Sequence, residues 1–229
     1  EVSQFDALFE APALLLKKPQ LKSRPRRATV VTTTGGGGAM LVDQLSIRGV
    51  DLAGLSPAST IFFKDQQIPC GSGKLVDVTL AGAQYDIMKK TITQLINDPE
   101  TGIVVVAIGS SAQFNPELAV KPIIDAVEEN PAAAPVIAFP LPIAKQSMAM
   151  LEANGIPCFG SVESCADSVA LLLAAQSSTL DDHLDDAIDL KNVQQQLDAV
   201  IKAAAIGSDG GVLNEVDGNQ IFTSLGLKG

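Results

Sequence analysis

The residues best suited to chemistry are four consecutive glycines, Gly35, Gly36, Gly37 and Gly38, preceded by Thr32, Thr33 and Thr34. Glycine accepts positive φ and lets a ligand approach the main chain. A helix that starts beyond such a turn points free N–H groups and the positive end of its dipole at an anion. The threonines could add hydroxyl donors, with Thr34 the nearest to the run. The expected chemistry is phosphate binding. The run lacks the Lys-Ser/Thr ending with which a P-loop reaches terminal phosphates and Mg²⁺. It also misses G-x-G-x-x-G, since Met40 stands where a third Gly or Ala is wanted, so an ordinary NAD site is disfavoured.

Other candidates follow from position. Asp77 interrupts the strand-like run Leu75 to Thr79 and suits hydrogen bonding to neighbouring loops or the ending of that strand. Ser110, Ser111 and Asn115 follow the run Ile103 to Ile108, and Pro140 and Pro142 follow the next one. These positions fall at the strand ends where open α/β sheets bind ligands. His183, the only histidine, lies among Asp181, Asp182, Asp185 and Asp186 and reads as an exposed, ion-paired side chain. No Ser-His-Asp set assembles from this sequence, and no catalytic residue or metal ligand is assigned.

The elements that must position these groups alternate. Ala28 to Thr32 is a β-branched strand, and a helix is expected from near Ala39 to a stop at Gly49. Asp51 to Gly73 reads as irregular, with a short strand at Ile61-Phe62-Phe63. Then come a strand at 75–79, a helix at 83–97, the strand Ile103 to Ile108, and a helix after Asn115-Pro116, where Asn caps and Pro fits the first turn. A strand at 136–139, a helix at 144–153, a short strand at 156–159 and a helix at 162–175 complete the series. Five or so strands alternating with helices predict an α/β fold with a doubly wound, mainly parallel, flavodoxin-like sheet and a helical C-terminal appendage.

Composition narrows the class. The chain has 229 residues, 46% hydrophobic but only 4% aromatic, so Ala, Val, Leu and Ile must fill the core. A net charge of -10 argues against nucleic acid as a partner. The basic stretch Lys22 to Arg27 reads as a solvated linker, with phosphate steering as the lesser alternative. Cys70, Cys158 and Cys165 have neither zinc nor disulfide spacing, which fits a reduced, cytoplasmic compartment. The longest apolar stretches fall far short of the roughly 20 residues of a membrane helix, so no membrane partner is expected.

Three segments are expected: 1–27, the end of a preceding domain and a linker; 28–176, the α/β domain; and 177–229, an interdomain segment that begins acidic and turns helical around Val193, Leu197, Val200 and Ile201. Phe5, Leu8, Phe9, Leu14 and Leu15 read as the end of a helix whose partners lie elsewhere.

The order of motifs resembles a known family. Ala28-Thr-Val-Val-Thr-Thr-Thr-Gly-Gly-Gly-Gly-Ala-Met is similar to the opening of the ligase domain in nucleoside-diphosphate-forming acyl-CoA synthetases, relatives of succinyl-CoA synthetase. Gly37 stands where that family often has Pro. Leu75-Val-Asp-Val-Thr resembles its Asn-Pro-Val-Asp-Leu-Thr element, with Lys74 and Leu75 in place of Asn-Pro. Asn97-Asp-Pro-Glu-Thr-Gly-Ile-Val-Val-Val resembles its next helix-turn-strand, and Gly155-Ile-Pro-Cys-Phe-Gly-Ser-Val-Glu-Ser-Cys-Ala its last strand and helix. Leu213 to Leu227 resembles the segment that introduces an ATP-grasp domain in fused members.

The resemblance implies acyl-CoA formation from a carboxylic acid, CoA and ATP through acyl phosphate and phosphohistidine. It implies that Gly35 to Gly38 help to hold the phosphate. The histidine, CoA, ATP/ADP and Mg would belong to CoA-binding, histidine-bearing and ATP-grasp domains of the same oligomeric enzyme. This domain alone would bind no cofactor and be inactive, and His183 does not inherit the histidine's role. Two alternatives stand beside this one. The first is a non-catalytic regulatory or interaction module of a ligase-like acetyltransferase fusion. The second is a free-standing binder of flavodoxin-like shape, for which the scarce aromatics suit flavin poorly.

Overall fold

The structure is a computed structural model that describes residues 2–16, 24–71, 73–79 and 81–175 and the single positions Gln195, Asp198, Val216 and Asn219. The chain divides into two units, Glu1–Ser177 and Ser178–Gly229, and every element named below lies in the first. His183, the acidic stretch around it and the residues Val193, Leu197, Val200 and Ile201 of the helical pattern lie outside the described residues.

β1 (Ala28–Thr32) is buried at all five positions, as a β-branched strand covered on both faces must be. It pairs in parallel with β2 (Leu75–Asp77) on one side, Thr32 opposite Asp77, and with β3 (Ile103–Ile108) on the other, Thr32 opposite Ala107. β3 pairs in parallel with β4 (Val136–Pro140), giving the order β2-β1-β3-β4. The fifth expected strand is reduced to one bridge, Ala138 to Cys158, because Pro157 has no N–H to give to a ladder. The segment still lies beside β4, with Ala138 N–H donating to the Pro157 carbonyl at 2.9 Å and Phe159 N–H to that of Ala138 at 3.1 Å.

Alternate strand residues feed two cores. On one face Val30, Val105, Ala107, Ile137 and Phe139 pack with α2 (Gly35–Ile47), α8 (Val162–Ala175) and α1 (Phe5–Leu16) through Leu41, Leu45, Val169 and Leu14. On the other, Val31, Val76, Val104 and Val106 pack with α3 (Pro57–Asp65), α4 (Tyr85–Asn97), α6 (Pro116–Glu128) and α7 (Lys145–Ala153) through Phe63, Met88, Ile92, Ile123 and Leu151. An all-parallel sheet with helices on both faces is the doubly wound α/β arrangement that the alternating pattern predicts.

Two local expectations are corrected. Ile61-Phe62-Phe63 lies in α3 rather than a strand. Ser56 caps this helix by accepting the Ser59 N–H at 3.1 Å, and Pro57 sits at its first position. The hydroxyls of Ser56 and Ser59 both donate to the buried carboxylate of Asp98, which anchors the helix start and overrides the β propensity of the three residues. α1, expected to lack partners, buries Ala7, Ala11 and Leu14 against α8, while Phe5, Leu8 and Phe9 remain exposed. The three cysteines are free: Cys158 and Cys165 are buried, and Cys70 is half-buried. No helix among the described residues is long and apolar enough to cross a membrane.

Candidate functional site

After β1 the chain moves to β2 on one side and then to β3 on the other, so the strand order reverses between β1 and β3. Crevices form at such a point, outside the carboxyl ends of the strands. The loops that follow Thr32 and Ile108 meet there. Gly109 is so close to its neighbours that a Cβ on it would stand 3.1 Å from the Thr34 Cβ and 3.3 Å from the Thr33 carbonyl oxygen.

The glycine run is the first turn of α2, not a turn ahead of it, and the helix starts four residues earlier than Ala39. Thr34 is the N-cap, at φ -143° and ψ 110°, and its carbonyl accepts the Gly38 N–H at 2.9 Å. The earlier N–H groups, those of Gly35, Gly36 and Gly37, have no carbonyl one turn back to reach. The Thr34 side chain makes no capping bond. None of the four glycines takes a left-handed φ, so backbone conformation is not why glycine stands there.

Packing accounts for two of them. A Cβ on Gly38 would lie 2.7 Å from Cβ and Cγ2 of Thr32. One on Gly37 would lie 2.8 Å from Thr34 Cγ2 and 3.4 Å from Leu141 Cδ2. This contact holds the first turn tight against β1 and allows helix where propensity alone places a loop. Gly35 and Gly36 are exposed and different: a Cβ on Gly36 would meet nothing within 4 Å, and one on Gly35 only Asp77 Oδ2, at 4.0 Å.

The threonines divide in the same way. Thr32 Oγ1 donates to the Thr34 carbonyl at 2.6 Å and accepts its N–H at 2.9 Å. Thr33 Oγ1 accepts the Gly109 N–H at 2.9 Å. Only the Thr34 hydroxyl is left uncommitted beside the open helix start. Asp77, at the end of β2, accepts the Thr79 N–H at 2.9 Å and the Thr79 hydroxyl with Oδ1, which leaves Oδ2 toward Gly35.

Ser110 is exposed and precedes the four-residue helix α5 (Ser111–Phe114), accepting the Gln113 N–H with its carbonyl at 2.9 Å. Asn115 stands at the far end of α5 and caps α6, accepting the Leu118 N–H at 3.4 Å. The structure thus brings Thr34, Gly35, Gly36 and Asp77 together, places Ser110 one residue from their contact with Gly109, and commits Asn115 elsewhere. Sequence reasoning missed Leu141, which follows β4 and lies over Gly37, and the inter-loop role of Thr33. A glycine directly after Ile108 was the available signal for the latter.

Segments 32–38, 77–83, 109–115 and 141–144 contain no Lys or Arg. An anion here would be held by main-chain N–H groups and the helix dipole, with its countercharge supplied from outside these loops. Among the described residues, no three His, Cys, Asp or Glu side chains gather in a way that could hold a metal ion. Among the described residues, Asp77 is the one carboxylate within 4 Å of a Cβ built on the glycine turn, too few donors for a metal site of its own.

Neither a protein-family model nor a curated protein matches the chain. Solved structures do. PH0766 from Pyrococcus horikoshii OT3 is similar with a TM-score of 0.65 and 25% identity, over 77% of this chain and 40% of that one. The dinucleotide forming acetyl-coenzyme A synthetase 1 of Ca. Korarchaeum cryptofilum is similar with a TM-score of 0.63 and 21% identity, over 80% of this chain and 40% of that one, both as the apo form and in complex with phosphate and ADP. The chain spans about 40% of the length of the solved structures it matches, and its fold is that of a part of such a synthetase, in keeping with the order of its motifs.

Proposed function

We propose that this chain is the phosphate-site domain of an acyl-CoA synthetase that makes acyl-CoA, with release of a nucleoside diphosphate, from a carboxylic acid, CoA and ATP. One observation carries the reading. Glycine in a helix costs about 1 kcal/mol relative to alanine, yet at Gly36 neither a left-handed φ nor a neighbouring atom requires it. The open space above that backbone suits a ligand that must come within hydrogen-bonding distance of N–H groups. A phosphoryl group fits: the N–H groups of Gly35, Gly36 and Gly37, with the Thr34 hydroxyl, would stabilise its charge without acid or base chemistry of their own.

The fold likeness and the ordered motifs support the rest of the scheme. The phosphoryl group would rest at the start of α2 while passing between acyl phosphate, a histidine and the nucleotide. The histidine, the CoA site and the Mg-nucleotide site would come from other domains of a cytoplasmic, oligomeric enzyme. The absence of Lys and Arg from the four loops fits a domain that supplies donors while the countercharge comes from its partners.

The test is Gly36→Val in the complete multidomain enzyme. Phosphohistidine formation and turnover should both collapse, because the branched side chain fills the space over the N–H groups. Unchanged formation and turnover would overturn the assignment. The 229-residue chain alone should form no acyl-CoA until the other domains are added.

A further inference from the structure

Thr33 touches β3 and two loops at once. Its N–H donates to the Ala107 carbonyl of β3 at 3.0 Å, and its hydroxyl accepts the N–H of Gly109, the residue just beyond β3, at 2.9 Å. Its methyl lies against Gly82 in the loop after β2, where an added Cβ would stand 2.8 Å from Thr33 Cγ2. Gly82, which Val78 Cγ2 crowds at the same 2.8 Å, and Gly109 both lie against the segment that carries Thr33. Thr33 also directly precedes Thr34, the N-cap of α2, so its placement sets the direction of the first helix N–H groups.

We infer that Thr33 is a positioning residue of the anion cradle, a joint that fixes the start of α2 against the β2 and β3 loops; this rests on the phosphate-site reading given above. Thr33 touches no ligand itself. Its hydroxyl accepts the main-chain N–H of Gly109, the residue that begins the loop carrying Ser110. The bond links occupancy of the glycine turn to the order of the β3 loop. An anion drawn against Gly35 to Gly37 should tighten Gly109, although Gly109 is no part of the donor set.

Thr33→Val keeps the shape and removes the acceptor, whereas Thr33→Ser keeps the acceptor and removes the methyl. In the complete multidomain enzyme, where the countercharge is present, inorganic phosphate titrated against amide NMR shifts should move the Gly35, Gly36 and Gly37 signals. Loss of one inter-loop hydrogen bond should weaken phosphate binding roughly threefold to tenfold in Thr33→Val, and Thr33→Ser should restore it. Phosphate should also slow Gly109 amide exchange in the unaltered chain and in Thr33→Ser, but not in Thr33→Val. A residue that merely holds the fold would lower the melting temperature and leave phosphate affinity and the ligand-dependent part of the exchange unchanged; that result overturns the inference while phosphate binding stands. If phosphate fails to move the glycine signals of the unaltered chain, the phosphate-site reading falls and the inference with it.

Discussion

The two ends of α2 are finished in opposite ways. At the C-terminal end the cap residue Arg48 gives its guanidinium to the buried carboxylate of Asp167 on α8, to the Ser3 hydroxyl at 2.6 Å, and to the carbonyl and side chain of Gln44 at 3.0 and 2.6 Å. Asp167 also accepts the Ser3 N–H at 2.6 Å, which ties the segment ahead of α1 into the same clasp. A cation at a helix C-terminus complements the dipole as well. At the N-terminal end Thr34 makes no side-chain capping bond, and the N–H groups of Gly35, Gly36 and Gly37 have no carbonyl one turn back to reach. The helix is locked where the fold needs it and open where a ligand would be met, so substitutions at its two ends should affect different properties.

The largest effect on stability should come from Asp167→Ala. Removing one partner of a buried pair leaves the other uncompensated, and about 3 kcal/mol is expected, the low end of the range because Arg48 keeps its bonds to Gln44. Chemical denaturation should show this loss with phosphate binding intact. A parallel loss of binding would mean that the two ends are not independent. Acid should attack the same clasp. Burial works against the charge of Asp167, but the Arg48 guanidinium and the Ser3 N–H and hydroxyl outweigh it and hold the carboxyl below its usual range. The folded-state value is depressed, so the stabilisation is complete above the unfolded carboxyl's pKa of about 3.9 and is lost as pH falls through the folded value. Asp98, held down against its own burial by Ser56, Ser59, the Glu100 N–H and Arg24, should add to the same acid loss. Melting temperatures between pH 7 and pH 2 should therefore fall less steeply in Asp167→Asn than in the unaltered chain.

Gly38→Ala comes next. Its methyl would press on Thr32, which β1 holds in place, and about 1–3 kcal/mol of overpacking is expected. The smallest change in stability, and of opposite sign, belongs to Gly36→Ala. The methyl enters open space in a helix, so stability should rise by up to about 1 kcal/mol while phosphate binding weakens. If Gly36→Ala destabilises as Gly38→Ala does, the division of the run into a packed pair and an open pair fails.

Much of the fold was legible because strand burial and helix periodicity act locally. β1, β3 and α8 run over the residues that the pattern marks. The misses share another cause. The early start of α2 depends on contacts of Gly37 and Gly38 with Thr32, Thr34 and Leu141, one of them more than 100 positions away, and no local propensity encodes that. α3 was hidden because its cap is fastened by Asp98, distant in sequence. In the site, the sequence marks Gly35 to Gly38 as one feature, whereas the structure separates two glycines that make room for the protein from two that leave room outside it. The commitment of Asn115 to α6 was readable from Asn-Pro, but the meeting of Thr33 with Gly82 and Gly109 depends on the sheet order.

The burial of the cysteines bears on how the molecule can be studied. Desolvation pushes the Cys158 thiol up to about 12 and the Cys165 thiol higher still, so both resist alkylation in the folded state. Cys70 is raised by burial too, but it is half-exposed, and its carbonyl accepts the Asp77 N–H at 3.0 Å. A maleimide dye or nitroxide added to the unaltered protein at mildly alkaline pH should therefore mark a single position, joined through the main chain to the carboxylate beside the glycine turn. The sequence thus carries its own attachment point for a spectroscopic reporter of the mouth of the sheet, with no cysteine to introduce or remove.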